Sequence, residues 1–239
     1  ISYDAFSNWL SHQVDHFADF FKTLHFMIDK IQDKELRRVS YFAILHIISF
    51  IVQMKDVEGI IEATNIIYHF LCVDLPQDFV CPLINTFSQL IEENYEILCS
   101  FSNPALPRHL AKLLDLTYLV PNEVYNVFRV LYETDARIYG NNLRSQAICY
   151  RAVSSLKSLD FIKIPPEIQL PIIPIINNLK NILQVTKSQL SEEKLTELIF
   201  QRAKMMFPSP DSSIECLNEL IEYHRAHEYS AEEIQVLVL

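Results

Sequence analysis

Apolar side chains recur at intervals of three and four from the start of the chain. Phe6, Trp9, Leu10, Val14, Phe17, Phe20, Phe21, Leu24, Met27, Ile28 and Ile31 fall on one wide stripe, which predicts a helix from about Tyr3 to Ile31. Gln32-Asp33-Lys34 interrupts it, and a second apolar run from Leu36 through Ile44, Ile48 and Met54 predicts a helix to about Lys55. That second helix is apolar nearly all round, so it is expected between neighbours rather than at a surface. Asp56 is placed to cap a third helix over Val57 to Cys72, which Leu75-Pro76 ends. A fourth is predicted from about Gln77 to Phe101, stopped by Ser102-Asn103-Pro104.

Prolines and capping residues punctuate the second half. Pro107 begins a short fifth helix ending near Tyr118, and Pro121, at a first helical position, opens a sixth through about Tyr132. Tyr139-Gly140-Asn141 is the clearest turn, followed by a helix from Asn142 to about Leu159. The four prolines between Lys163 and Leu183 predict a loop, with the next helix delayed past Pro174. Ser191 is read as the cap of the following helix. Ser212 with Glu215, and Ser230 with Glu233, each fit a Ser-x-x-Glu capping box and mark two further starts.

These elements make an all-α chain of about nine to eleven antiparallel helices. Their starts lie about 20 to 25 residues apart, and helix pairs of about 40 to 47 residues are the period of HEAT and armadillo repeats. By period and composition the chain therefore resembles an irregular α-solenoid of that class, without a repeated signature. A compact multi-helix bundle is the alternative. The expected organisation is one repeat-like domain over 1–239, with a sub-boundary near 102–107 as the one internal candidate. Ile1 at the start and the apolar Ile234 to Leu239 at the end read as cut edges of a longer chain.

Composition narrows the function classes. Half of the residues are apolar, which suits a sizeable core. Two glycines stand where average usage of about 7% would supply roughly 17. That excludes phosphate loops, dinucleotide folds and Gly-x-Ser-x-Gly nucleophile elbows, and it disfavours β-rich architectures. Five cysteines, Cys72, Cys81, Cys99, Cys149 and Cys216, have no Cys-x-x-Cys pairing. They are read as reduced core residues, which points to a reducing compartment, nucleus or cytoplasm. No apolar run is long enough to span a membrane.

Two histidine pairs invite a metal reading. His12 and His16 have the spacing of a zinc helix, but Gln13 stands where the general base Glu would be. His224 and His227 are three apart at a helix end, where a cationic cap is the simpler reading. No metal, cofactor, small-molecule substrate or enzymatic activity is expected.

Charge is uneven along the chain. Arg108 to Lys163 holds eight basic against five acidic residues, a local +3 in a chain of −10. Within it Arg129, Arg137, Arg144, Arg151 and Lys157 are the candidate basic ridge, and Tyr125, Phe128, Tyr132, Tyr139 and Tyr150 lie nearby. Tyr and Arg together favour a protein interface. A second candidate is the N-terminal apolar hairpin with Trp9, Phe17, Phe20 and Phe21. The expected function is a non-enzymatic scaffold or adaptor that binds protein partners as a subunit of a larger intracellular complex. A nucleic-acid-associated factor using the basic ridge is the alternative.

Overall fold

The computed structural model describes residues 23, 26–53, 57–73, 75–99, 105–156, 159, 162–188, 192–205 and 210–226. Among them the chain is all-helical, with ten α-helices, one 3-10 helix and no strand. It divides into two compact units, 1–104 with 122–131 and 105–121 with 132–239.

The first unit contains helices α1 (Lys34–Gln53), α2 (Val57–Leu71), α3 (Gln77–Glu93) and the short α4 (Tyr95–Leu98). Helix α1 starts where Asp33 Oδ1 accepts the Leu36 N–H at 2.8 Å, an N-cap that satisfies one of the orphan donors of the first turn. Helices α1, α2 and α3 all touch one another, which makes a bundle rather than a serial stack. One ring from each meets at the centre: Tyr41 lies 6.1 Å from Phe70 and 5.0 Å from Phe79, and Phe70 lies 6.1 Å from Phe79. All three rings are buried. Edge-on and tilted packing of this kind adds to the burial term.

Helix α1 departs from its expectation of being enclosed. It buries Tyr41, Ile44, Leu45, Ile48 and Val52 along one face, while Leu36 and Val39 are 56% and 60% exposed. Among the described residues its neighbours are α2 and α3. The predicted fourth helix is also broken, at Asn94. There the backbone N–H and the side-chain amide both donate to Leu90 O, and the chain restarts as α4.

The second unit contains α5 (Ala105–Leu114), a 3-10 turn (Asp115–Tyr118), α7 (Leu143–Ser154), α8 (Ile172–Ser188), α9 (Glu192–Met205) and α10 (Pro210–Ala226). Helix α6 (Pro121–Tyr139) contributes 122–131 to the first unit and its remaining residues to the second. Packing in the second unit is serial: α5 lies on α7, α7 on α8, α8 on α9 and α9 on α10. Ile199, Leu220 and Ile221, with Leu195, Phe200 and Leu217, form the α9–α10 seam.

Several boundaries differ from those expected. Helix α6 runs seven residues past Tyr132, because its inward positions continue through Thr134 and Asp135 to Gly140, which ends it at φ 69°. Helix α7 stops at Ser154 rather than near Leu159. Helix α8 starts at Ile172 and carries Pro174 as its third residue. Proline is tolerated there because the first turn has no intrahelical acceptor for its missing N–H. Helix α10 starts at Pro210, so Ser212 lies inside its first turn rather than at the cap. Ser191, Ser230 and the predicted first helix through Lys22 lie outside the described residues.

Cys99, Cys149 and Cys216 are buried as expected, but Cys72 is exposed at the end of α2 and Cys81 is half-buried. All five are free thiols. Cys72 follows the last turn of α2, so its side chain leaves the stripe that Phe70 and Leu71 bury.

Candidate functional site

The arginines of the candidate ridge distribute over two helices. Arg129 and Arg137 are exposed on α6 with exposed Glu133 between them, at four-residue spacing along one face. Arg129 belongs to the first unit and donates to Asn126 Oδ1. Arg137, Arg144 and Arg151 belong to the second unit. Lys157 lies outside the described residues, as do Trp9, Phe17, Phe20, Phe21, His12, His16 and His227.

The turn from α6 to α7 is built by short polar contacts. Gly140 N–H bonds Ala136 O at 2.9 Å, Asn141 Nδ2 donates to Tyr139 O at 3.1 Å, and Asn141 Oδ1 accepts the Leu143 N–H at 3.1 Å. Beneath the turn, Asp135 is fully buried, and its Oδ2 accepts both the Ser145 backbone N–H and the Ser145 hydroxyl at 2.8 Å. Ser145 is the third residue of α7, so a carboxylate from the preceding helix caps its N-terminus, where negative charge is favoured.

This clamp orients α7 and with it two arginines. Arg144 Nη1 donates to the Tyr139 hydroxyl at 2.9 Å, and its guanidinium lies 4.0 Å from the Tyr139 ring centre. Arg151 is exposed and makes no ion pair among the described residues. The two are seven residues apart, hence on one helix face two turns apart. Arg144 is partly desolvated and held in one orientation, whereas Arg151 is a solvated point of positive charge.

Sequence reasoning missed a second feature, a cleft of about 470 Å³ at the start of α1. Its wall holds Asp29, Glu35 and Asp78 with Lys34, Arg37 and Arg38, and Tyr41 closes one side. Most of these groups satisfy one another. Arg38 pairs with Asp78 at 2.5 Å and Glu35 at 3.6 Å, Arg37 donates twice to Ile31 O, and the Tyr41 hydroxyl donates to Asp29 at 2.9 Å. Opposite charges cancel, so the cleft has no net sign with which to recruit a charged ligand.

No group of three or more His, Cys, Asp and Glu suited to a metal occurs among the described residues. His224 is buried on α10 rather than placed as a solvated cap. Burial, then the neighbouring Glu123, pushes the Cys81 thiol up, and burial pushes Cys149 up to about 12. A nucleophilic thiol needs the opposite shift. Among the described residues no helix is long and apolar enough to cross a membrane. Comparison with protein-family models, curated proteins and solved structures gives no match to this chain.

Proposed function

We propose that this chain is a non-enzymatic, α-solenoid-like scaffold or adaptor domain that holds an acidic segment of a protein partner within a larger intracellular complex. The observation that carries the reading is the pair Arg144 and Arg151 on one face of α7, the first stacked on Tyr139 and the second exposed, with no ion pair among the described residues. A guanidinium fixed against an aromatic ring loses little freedom on binding, and arginine beside tyrosine is the composition of interface hot spots. The buried Asp135–Ser145 clamp supports the reading, because it holds the helix that presents both groups.

Nucleic acid is the weaker reading. Glu133 stands between Arg129 and Arg137, which breaks the row of positive charge that phosphate backbones reward, and the whole chain carries −10. The test is to isolate stoichiometric partners of the full chain and titrate the purified partner against wild type and the Arg144→Glu/Arg151→Glu double variant. At least a tenfold loss of affinity is expected, since close charge pairs at interfaces are worth about 1.5 kcal/mol or more. Unchanged affinity in a folded double variant would refute the reading. Binding to a generic RNA or DNA that weakens steeply with salt and is lost in that variant would replace it with the nucleic-acid reading.

A further inference from the structure

We infer that Ser154 is a phosphoacceptor whose modification switches the basic face of α7 off. The inference rests on the reading of Arg144 and Arg151 as partner contacts. Ser154 is the last residue of α7 and is exposed. Arg151, exposed and without an ion pair among the described residues, precedes it by three positions, in the stretch Arg151-Ala152-Val153-Ser154. A serine with arginine three residues ahead is a charge pattern that an acidic kinase groove selects. The neighbouring Ser155 is also exposed, but Arg151 precedes it by four positions rather than three.

A richer basic pattern occurs at Arg37-Arg38-Val39-Ser40, and its surroundings argue against it in the folded chain. Arg37 is held by Ile31 O and Arg38 by Asp78, and the Ser40 hydroxyl donates to Leu36 O at 2.8 Å. Tyr41, which follows, is part of the buried ring cluster, so presenting Ser40 to a kinase groove requires pulling Tyr41 out of the core. At Ser154 only the end of a helix has to open, and helix ends open at low cost.

In the modification, Ser154 Oγ attacks the γ-phosphorus of a nucleoside triphosphate held by the kinase. The Oγ–P bond forms, the bond to the bridging oxygen breaks, the electron pair leaves on the nucleoside diphosphate, and the hydroxyl proton passes to the kinase's carboxylate base. The new phosphate, with close to two negative charges, sits one turn from Arg151 and pairs with it. That occupies Arg151, which has no ion pair among the described residues. The phosphate also stands at a helix C-terminus, where negative charge opposes the dipole.

The experiment treats the full chain with magnesium, ATP and a kinase that selects arginine three residues before the acceptor, and maps the phosphate by mass spectrometry. Phosphate is expected on Ser154 in wild type and Ser40→Ala, and absent from that position in Ser154→Ala and Arg151→Ala. Affinity for the acidic partner is then expected to fall at least tenfold on treatment of wild type and to stay unchanged on treatment of Ser154→Ala. No incorporation, or incorporation only at Ser40 or Ser155, overturns the inference, as does phosphate on Ser154 with unchanged affinity. If instead the partner's affinity is already indifferent to Arg151→Glu, the binding reading fails on its own, whatever the phosphate map shows.

Discussion

Asp135 Oδ2 accepts two hydrogen bonds from Ser145, one from its backbone N–H and one from its hydroxyl, each 2.8 Å long and both buried. The carboxylate replaces the N-cap side chain that α7 lacks, since Asn142, at the cap position, makes no side-chain cap bond. Hydrogen bonds to a charged acceptor contribute about 1.5–3 kcal/mol, and a buried donor stripped of its partner costs about 1–3 kcal/mol. Asp135→Ala is therefore expected to lower the unfolding free energy by about 3 kcal/mol, and Ser145→Ala by about 1–2 kcal/mol. The double variant is expected to lose less than the sum of the two, because they share one interaction. Urea denaturation of the four proteins measures this, and strict additivity would show that the clamp contributes nothing as a pair.

Gly140 ends α6 at φ 69°, a conformation in which a β-carbon crowds the backbone even though nothing else lies within 4 Å of where one would sit. Gly140→Ala is expected to destabilise by about 1 kcal/mol, and Gly140→Asn by less, since asparagine tolerates the left-handed region. Thermal denaturation of the two variants distinguishes this backbone cost from a packing clash, which would penalise asparagine more than alanine.

The helices were legible because burial follows three-and-four spacing, as in Ser213, Cys216, Leu220 and His224 along α10. Boundaries were less so. Pro174 looked like a barrier, yet it occupies the one turn of a helix in which a missing N–H costs nothing, and a sequence does not say which turn a proline will occupy. Arg144 and Arg151 were visible as a pair from their seven-residue spacing. Asp135 was only one of the five acids between Arg108 and Lys163, because its role depends on Ser145 ten residues away across a turn. The charged cleft was invisible for the same reason: Arg38 and Asp78 are 40 residues apart in the chain.

Cysteine accessibility gives a direct chemical check on the burial pattern. Cys72 is exposed, while Cys99, Cys149 and Cys216 are buried and Cys81 is half-buried with its thiol pushed up by burial and Glu123. Brief treatment of the native chain with iodoacetamide is expected to label Cys72 first and Cys81 slowly, and to leave the other three unmodified until denaturant is added. Rapid native labelling of Cys149 or Cys216 would mean that α7 and α10 do not pack as described.

Alkaline pH should weaken the second unit through groups that burial keeps protonated. Cys149 is pushed from its ordinary 9.0 up to about 12 by burial, against a smaller opposing hydrogen bond from Tyr132. Tyr150 is pushed from 10.0 up to about 12, by burial first and then by its hydrogen bond with Cys216. In both cases the folded chain holds the proton more tightly than the unfolded chain. Their stabilising contribution is therefore complete below the unfolded values and is lost as pH rises from 9 toward 12. Each group changes the unfolding free energy by about 1.4 kcal/mol per pH unit inside its window. Between pH 9 and 10 one unfolded thiol is half ionised or more while each unfolded tyrosine is half ionised at most, so the buried thiol contributes more to the slope than any single tyrosine. Cys149→Ala is expected to be less stable at pH 7, having lost buried volume, but to show a slope between pH 9 and 10 that is shallower by about 1 kcal/mol per pH unit, because the unfolded thiol is only partly ionised across that interval. Urea midpoints collected every half unit of pH give both slopes, and parallel curves for wild type and Cys149→Ala would show that the thiol titrates alike in the folded and unfolded chains.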